Sequence, residues 1–415
     1  MSRQQHSRRQ SGRNANQRGH SSQAQNVSPN LIYTGAGLAQ MCESLQNHTL
    51  IAVDTESDSL FSYYPKVCLI QLSVYADPKA PDAADVVDYL VDPLRLERLD
   101  PLATLLADSG IEVVMHAAEN DILTLQRDFQ LVFTNIFDTQ LAARILGWNG
   151  IGLAAILEKQ FGLVSDKRMQ RTNWGARPLT PQQIAYAQMD THYLPALRER
   201  QIQELTAMNR LEEAREAFSF LAKLDYAERP TAERTFWSMK IARKVPTEHT
   251  GILEALWEWR EHEAQQQNKP PFKIVNDNAL AAIADARPET QGELDGIGGI
   301  SSYQARRYGS ALLATVQAGV HRPLPKPPEN NHHRPEAALS GIAQVRYEAL
   351  RRWRAKIARQ RGVNPDIVFT NSTLMTIAQR HPRSVAELES IPEIGPWKAK
   401  TYGPDVLPLV RGKVK

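Results

Sequence analysis

Leu50-Ile51-Ala52-Val53-Asp54-Thr55-Glu56 is the stretch that indicates the fold most clearly. Its first four residues are apolar, which is typical of a buried β-strand, and two carboxylates, Asp54 and Glu56, follow them. Successive side chains of a strand point to opposite faces, so Asp54 and Glu56 leave the sheet on the same face. Two acids at a strand end are ordinarily solvated surface. A functional interpretation therefore depends on whether other residues bring further acids to the same place.

Two more acids and one tyrosine have suitable positions along the chain. Asp121 opens the segment 121–129, whose apolar residues recur with helical spacing. The stretch Thr180-Pro181-Gln182-Gln183 predicts the start of a helix, with a capping box and a proline at the first helical position. Tyr186 and Asp190 are four residues apart on this helix, so they share one face.

The four carboxylates of Asp54, Glu56, Asp121 and Asp190 together predict a site for two divalent cations. Like charges in one cleft repel each other unless cations lie between them, and oxygen ligands suit Mg²⁺ and Mn²⁺. Two such ions about 3.5 to 4 Å apart can activate a water and stabilise a leaving oxygen in phosphodiester hydrolysis. Tyr186 is a poor base at neutral pH, and we expect it to orient that water.

The composition excludes several other classes of protein. Two cysteines, Cys42 and Cys68, supply neither a disulfide framework nor a zinc quartet. The first thirty residues hold no apolar stretch suited to a signal peptide, and no later stretch is long enough to span a bilayer. We therefore expect a cytoplasmic protein that does not bind membranes, and we expect it to be a monomer.

Charge is distributed unevenly along the 415 residues. Residues 1–30 carry five arginines and no acid, and residues 322–415 carry seventeen basic and eight acidic residues. The net charge is only +3, so the middle of the chain is acidic. This division favours a cation-binding body with extensions that hold a polyanion, although solvated surface charge explains any single basic patch equally well.

Periodicity predicts a chain that begins with strands and continues with helices. Apolar runs predict strands at 50–53, 67–72, 86–91 and 111–115. Helical spacing predicts helices at 121–129, 140–146 and 153–161, before the one that starts at Thr180. Gly162 is predicted to end the third of these helices.

Five stretches together resemble the exonuclease motifs of the DEDD superfamily. They are residues 53–56 (VDTE), 69–72 (LIQL), 116–121 (HAAEND), 138–140 (DTQ) and 186–190 (YAQMD). Within that superfamily the chain resembles the ribonuclease D family, in the branch that carries a tyrosine. Relatives with a histidine instead carry it five residues before the last Asp, where this chain has Ala185.

The resemblance implies a fold, an activity and a substrate class. The fold is a ribonuclease H-like α/β domain, a mixed sheet flanked by helices, followed by two all-α domains. The activity is 3′ to 5′ exoribonuclease action that depends on two divalent cations, Mg²⁺ or Mn²⁺, and releases nucleoside 5′-monophosphates. The implied substrates are tRNA precursors and other small stable RNAs.

The second half of the chain contains an internal duplication with an offset of 94 residues. The offset pairs Trp259-Arg260 with Trp353-Arg354, Pro271 with Pro365, and Tyr308-Gly309 with Tyr402-Gly403. A period of this length is too long for a solenoid unit and predicts two copies of a small domain. Both copies resemble the helicase and ribonuclease D C-terminal (HRDC) domain, a helical module that binds nucleic acid.

These observations predict six segments. They are a disordered basic tail at 1–30, an exonuclease domain at 31–210, a connecting helix and linker at 211–245, a first HRDC-like domain at 246–321, a Pro-rich linker at 322–336, and a second HRDC-like domain at 337–415.

Several residues are predicted to contact the substrate. Around the acids these are Phe61, Tyr64, Lys66, Lys167, Gln170, Arg171 and Trp174, which combine aromatic rings for base stacking with polar and basic groups for phosphate. In the second HRDC-like domain they are Arg351, Arg352, Lys398 and Lys400. The two lysines follow a turn where the start of a helix is predicted to point N–H groups at a phosphate.

Two alternatives remain open at this point. Two-metal chemistry does not need the 2′-hydroxyl of RNA, so the four acids suit a 3′ to 5′ DNA exonuclease in repair or proofreading as well. The helical repeats and the basic ends also suit a nucleic-acid-binding adaptor without catalytic activity, although such a protein has no physical reason to keep the complete set of acids.

Overall fold

A computed structural model of the protein describes residues 28–82, 85–228, 234–326, 339 and 341–411. The predicted disorder of residues 1–30 and the predicted linker at 322–336 therefore lie largely outside the described residues. In the part of the chain that is described, no helix combines the length and apolar character needed to cross a membrane.

A six-stranded mixed sheet forms the N-terminal half of the protein. Its strands are β1 (Asn30–Ile32), β2 (Leu50–Ser57), β3 (Val67–Tyr75), β4 (Val86–Val91), β5 (Glu112–Met115) and β6 (Ile136–Asp138). Their order across the sheet is β1-β4-β3-β2-β5-β6. β3 pairs antiparallel with β2 and with β4, whereas β5 pairs parallel with β2 and with β6, and β1 pairs parallel with β4. β2 therefore lies at the centre of the sheet.

Helices cover both faces of this sheet. The helices of this half are α1 (Gly35–Leu45), α2 (Asp100–Leu106), α3 (Glu119–Phe129), α4 (Thr139–Leu146), α5 (Leu153–Phe161), α6 (Pro181–His192), α7 (Leu194–Ala207) and α8 (Leu211–Leu221). Ile51 and Val53 of β2 pack in one core with α1, α2 and α3. Leu50 and Ala52 face the opposite core with α4 and α7, so the alternation expected of a strand is present.

The sequence predicted the main elements and missed the shorter ones. The four predicted strands correspond to β2 to β5, and the four predicted helices correspond to α3 to α6 within two residues at their starts. Gly162 follows α5 with a positive φ of 72°, and Thr180 and Gln183 form the predicted capping box. The three-residue strands β1 and β6 are too short to show alternation, and no prediction covered them.

The C-terminal half contains the same helical unit twice. The first copy has α9 (Thr250–Gln266), α10 (Pro271–Ile274), α11 (Asp277–Ala286), α12 (Gln291–Asp295) and α13 (Ser302–Val320). The second has α14 (Gly341–Arg361), α15 (Pro365–Val368), α16 (Asn371–Arg380), α17 (Val385–Glu389) and α18 (Pro396–Arg411). From α10 onward, each helix of the first copy has a counterpart that starts 94 residues later, and each copy has its own hydrophobic core.

The duplication extends to a buried arginine in each copy. Arg260 is 3% exposed and donates to the carbonyl of Val275 at 3.1 Å and to Asp277 at 2.6 Å. Arg354 is 8% exposed and donates to the carbonyl of Phe369 at 2.7 Å and to Asn371 at 2.8 Å. Each arginine thus ties the long first helix of its copy to the start of the third helix, which is a structural role.

A buried ion pair joins the second copy to the N-terminal half. The Glu213 carboxylate on α8 is 1% exposed and accepts hydrogen bonds from the guanidinium of Arg361, at the end of α14. The same guanidinium bonds the hydroxyl of Tyr402 on α18. Nearby, Gly147 has a φ of 78°, and a Cβ there would lie 2.3 Å from the carbonyl oxygen of Gly362. The two bodies are therefore in close backbone contact.

We expect Glu213→Ala to lower the free energy of unfolding by about 3 kcal/mol, because it leaves the Arg361 charge buried without its partner. The measurement is urea-induced unfolding followed by circular dichroism. The matched control is Glu212→Ala, since Glu212 is next in sequence but its ion pair with Arg215 is exposed; its expected effect is below about 1 kcal/mol. Equal effects of the two substitutions would show that the buried pair does not hold the interface.

Candidate active site

Strand β2 delivers two of the predicted acids to one edge of the sheet. Asp54 and Glu56 lie on the same face of the strand as Ala52, and both are partly buried. The pairing of β2 with β3 shifts register between Glu56 and Ser57, where the strand ends. The central position of β2 gives these two carboxylates a rigid support.

Asp121 reaches the same place from the first turn of α3. The hydroxyl of Thr55, between the two strand acids, donates a hydrogen bond to the Asp121 carboxylate. The start of α3 is itself held by Asp138, which accepts hydrogen bonds from the backbone N–H groups of Ala117 and Ala118 at 3.2 and 2.8 Å. Ala117 has a positive φ of 59°, so these bonds hold the chain in a conformation that alanine rarely adopts.

Helix α6 carries Tyr186 and Asp190 and is fastened at its N-terminal approach. The Arg177 guanidinium donates to both carboxylate oxygens of Asp92, at 2.6 and 2.8 Å, and to the carbonyl of Cys68 at 2.6 Å. A planar guanidinium held by two carboxylate oxygens fixes orientation as well as distance. The loop before α6 is therefore locked onto strands β3 and β4.

The C-terminal end of α6 is fastened by a second network. The buried Asp88 carboxylate accepts hydrogen bonds from Ser73 at 2.6 Å and from Gln188 at 2.7 Å, and it pairs with His192 at 2.8 Å. The hydroxyls of Ser73 and Thr191 are also hydrogen-bonded to each other, at 2.7 Å. Three of these partners flank Asp190 in sequence, so the network holds the backbone that presents it.

All five predicted catalytic residues line one cavity of about 590 Å³, namely Asp54, Glu56, Asp121, Tyr186 and Asp190. The structure therefore brings together side chains that are 136 residues apart in sequence. The rest of the wall includes Thr55, His116 and Gln140, together with the start of α5 at residues 152–157.

The electrostatics of the cavity show that the carboxylates oppose one another. Burial, then Asp190 and Asp121, raise the pKa of Glu56 to about 9. Burial followed by the other three acids raises the pKa of Asp54 well above its usual value. Burial also raises the pKa values of Asp121 and Asp190. Ionising all four acids is therefore costly, and no positive side chain is among the causes of these shifts, as in a site that binds cations.

The carboxylate oxygens of the four acids are suitable ligands for divalent cations, but the four side chains are not arranged around a common point. Among the described residues, no group of three or more His, Cys, Asp or Glu side chains has a spacing that would hold a metal ion. The acids line one cavity without converging on a single point. A cation would therefore draw these side chains towards itself, and water and substrate oxygens would complete its coordination.

Tyr186 remains protonated at any physiological pH. Burial, followed by the charges of Asp190 and Glu56, raises the pKa of its hydroxyl far above the usual value. Its hydroxyl is hydrogen-bonded to Asp190 and to the side chain of Gln170. A neutral phenol in this position is a hydrogen-bond donor and not a general base. The expected role of Tyr186 in orienting a water stays a prediction.

The polar loop before α6 divides into residues at the cavity and residues outside it. Lys167 and Gln170 lie in the cavity wall. Arg171 is exposed and does not line the cavity. The prediction that Trp174 contacts substrate is wrong for this conformation, because Trp174 is 1% exposed and its ring packs against Tyr186 with centroids 6.2 Å apart. It supports Tyr186 from behind.

The aromatic loop between β2 and β3 contacts protein rather than the cavity. Phe61 lies beneath the Lys273 ammonium, 3.7 Å from the ring centroid, and the hydroxyl of Tyr64 is hydrogen-bonded to Gln265. The backbone N–H groups of Tyr63 and Tyr64 donate to the Asn268 side chain at 3.1 and 3.3 Å. The predicted base-stacking roles of Phe61 and Tyr64 are thus replaced by a contact with the first HRDC-like copy. Lys66 is exposed and outside the cavity wall.

The predicted phosphate site in the second copy is already filled by the protein. The Glu216 carboxylate on α8 accepts hydrogen bonds from the backbone N–H groups of Trp397 and Lys398, at 2.5 and 3.2 Å. A Cβ at Gly395 would lie 2.4 Å from Glu216, so only glycine permits this approach. The prediction for the start of α18 is therefore wrong, because an acidic side chain from another element occupies the place of the phosphate.

The four basic residues proposed for the second copy have different surroundings. Burial lowers the pKa of the Lys398 ammonium, which lies 5.8 Å from the centroid of the Phe369 ring. Lys400 is exposed on α18, and Arg351 and Arg352 are exposed on α14. Three of the four thus remain accessible to a polyanion.

Sequence reasoning missed the apolar wall of the cavity and the partners of the acids. The start of α5 gave no functional signal, because its apolar residues are also what a core helix needs. Gln140 was quoted in the motif at 138–140, but no role was assigned to it. Thr55 was visible between the two strand acids, yet its bond to Asp121 depends on the packing of α3 against β2.

Comparison with known proteins gives two matching domain families. A family described as 3′-5′ exonuclease matches residues 29–205. The HRDC domain family matches twice, at residues 249–316 and 343–410.

Curated relatives and a solved structure match over nearly the whole chain. Ribonuclease D of Acidiphilium cryptum is 30% identical over 396 residues, covering 93% of this chain and 94% of the relative. Ribonuclease D of Granulibacter bethesdensis is 29% identical with the same coverage of both chains. The crystal structure of Escherichia coli RNase D, described as an exoribonuclease involved in structured RNA processing, has a TM-score of 0.62 and 25% identity. It covers 93% of this chain and 99% of its own.

We expect Asp54→Asn to raise the stability of the metal-free protein by about 1 kcal/mol or more at pH 7, because it removes one of the repelling charges. The pKa of Asp54 is raised in the folded state, so the repulsion is absent at about pH 4 and grows as pH rises. Thermal unfolding in EDTA at both pH values measures this. The control Glu43→Gln alters an exposed acid and should leave the stability unchanged at both pH values. If the metal-free Asp54→Asn protein were less stable than the metal-free wild type at pH 7, the proposed repulsion between the acids would be contradicted.

Proposed function

The chain belongs to the ribonuclease D family and is a 3′-5′ exoribonuclease, and from this premise we propose that the five residues of the cavity are its catalytic centre. Asp54, Glu56, Asp121 and Asp190 would hold the two divalent cations, Mg²⁺ or Mn²⁺. The observation that supports this assignment is the shared cavity, in which burial and the neighbouring acids raise the pKa values of Asp54 and Glu56.

The bound cations would supply a Lewis acid and an activated water for phosphodiester hydrolysis. The protein's own contribution is to hold four carboxylates on three rigid elements, β2, α3 and α6. The hydroxyl of Tyr186 would hydrogen-bond to the attacking oxygen and align it with the 3′-terminal phosphodiester. Lys167 at the cavity wall balances the charge of the incoming phosphate.

The proposed substrates are the 3′ ends of tRNA precursors and other small stable RNAs. A DNA exonuclease with the same acids and a silent adaptor are less favoured, since the matching relatives are named as ribonucleases and the acid set is complete.

We expect Asp190→Asn to abolish exonuclease activity, because it removes one of the four carboxylates proposed to hold the cations. The assay uses a 5′-labelled tRNA precursor with a short 3′ extension, in Mg²⁺ or EDTA, with a matched DNA strand alongside. The wild type should give a Mg²⁺-dependent ladder that shortens from the 3′ end of RNA. Intact RNA with a shifted band on a native gel would support the adaptor instead.

We expect Tyr186→Phe to lower kcat by about 10²-fold while KM and the Mg²⁺ requirement change little, because only the aligning hydroxyl is lost. Steady-state kinetics on the same RNA measure this. Tyr193→Phe, just beyond the end of α6, is the control and should keep full activity. An unchanged kcat in Tyr186→Phe would exclude the aligning role.

The exposed basic face of α14 is the remaining candidate for a second RNA contact. Arg351 and Arg352 are exposed, and no ion pair of theirs is found among the described residues. We expect the double substitution Arg351→Ala/Arg352→Ala to weaken RNA binding and to reduce the slope of log affinity against log salt by about 1 to 2. Fluorescence anisotropy at several salt concentrations measures this, and an unchanged slope would exclude the contact.

Two further expectations, the cytoplasmic location and the monomeric state, stay predictions. Analytical ultracentrifugation of the full chain decides the second.

A further inference from the structure

Gln71 is a buried polar side chain that has no explanation in the fold. It lies in the middle of β3 and is 0% exposed. Its amide nitrogen and its amide oxygen are both buried and both lack a hydrogen-bond partner. In the part of the chain that the structure describes, no other side chain has two buried polar atoms in this condition. Unpaired buried polar groups are costly, so each such group calls for a reason.

The position of Gln71 in the sheet points to the catalytic acids. Its register partner on β2 is Asp54. Side chains directly opposite each other in an antiparallel pair lie on the same face, with Cβ atoms about 4.5 to 5.5 Å apart. The amide of a glutamine is long enough to reach a carboxylate at that separation.

The neighbours of Gln71 along β3 show what covers it. Residues two apart on a strand share a face. Leu69 on one side packs in a cluster with Tyr186, and Ser73 on the other side is hydrogen-bonded to Thr191. Gln71 therefore lies under the stretch of α6 that carries Asp190. Because it is fully buried there, it does not contact substrate.

We propose that Gln71 is a positioning residue whose amide N–H donates to the Asp54 carboxylate when that carboxylate holds a cation, an inference that rests on the proposed function. Carboxylates that ligate metals are usually hydrogen-bonded by a further shell of groups, which fixes their orientation. The Asp54 carboxylate accepts a bond from the Thr55 backbone, which leaves room for a second donor. The unpaired amide is then a donor whose acceptor moves into place with the ion.

A neutral amide also suits the charge of the site. A lysine or arginine at position 71 would place a fixed positive charge against Asp54 and compete with the cation. A further acid would add to a repulsion that already raises the pKa of Asp54. A purely apolar residue would fill the space without unpaired atoms, so packing alone does not account for glutamine here.

The test compares two glutamines that are both 0% exposed, using the same substitution in the full-length protein. Gln71→Met removes the unpaired amide. Gln201→Met, the control, removes an amide that donates to the carbonyl of Thr139 at 2.8 Å. The measurements are Mn²⁺ affinity by titration calorimetry, the Mg²⁺ dependence of RNA cleavage, and the Tm in EDTA.

We expect Gln71→Met to weaken Mn²⁺ binding by about 10- to 100-fold and to raise the Mg²⁺ concentration for half-maximal cleavage to a similar degree. Its metal-free Tm should equal or exceed that of the wild type, since two unpaired atoms are removed. Gln201→Met should lower the metal-free Tm and leave Mn²⁺ affinity unchanged. A merely structural role for Gln71 would lower its Tm and not its metal affinity.

Two results would overturn the proposal. One is a Gln71→Met protein that binds Mn²⁺ as tightly as the wild type. The other is an undiminished effect of Gln71→Met in an Asp54→Asn background, since the amide would then act on another group. Failure of the proposed function is distinguishable from both, because the wild type itself would then show neither Mn²⁺ binding nor cleavage that depends on metal.

Discussion

Mutual repulsion of four carboxylates in one partly buried cavity is the constraint on which the rest of the exonuclease half depends. Burial and the neighbouring acids raise the pKa of Glu56 to about 9 and that of Asp54 well above its usual range. A fold tolerates such an arrangement only if each acid is attached to an element that cannot move away. Here the attachments are a central strand, the first turn of a helix, and a helix fastened at both ends.

The fastening of α6 explains why so much buried polar chemistry surrounds a single helix. Arg177 and Asp92 hold the loop before it, and Asp88 holds its last turn through Gln188 and His192. Asp88 is buried, as Asp190 is, but its carboxylate has several hydrogen-bond donors, and so it serves structure. An acid whose oxygens accept several hydrogen bonds is structural, whereas acids that repel one another mark the candidate active site. This difference distinguishes the two kinds of acid more clearly than their burial does.

The sequence predicted the residues of the site better than their surroundings. Periodicity and capping signals located β2, α3 and α6, and those three elements carry all five residues proposed as catalytic. The failures concern residues whose environment is set by distant parts of the chain. Trp174 and Phe61 had the composition of a substrate-binding loop, but α6 buries the first and the first helical copy covers the second. Gln71 was quoted within a motif, yet its unpaired amide is visible only once β2, β3 and α6 are packed.

The two helical copies show how one fold acquires different surroundings without changing its core. Arg260 and Arg354 make equivalent hydrogen bonds 94 residues apart, so the internal architecture is the same. The two copies differ in the part of the N-terminal half that each one contacts. The first copy meets the loop after β2, whereas the second meets α8, where Glu213 and Glu216 satisfy Arg361 and the start of α18. The backbone N–H groups at the start of α18, which could otherwise bind a phosphate, are thereby occupied by Glu216. Any RNA contact of the second copy must use its outer face.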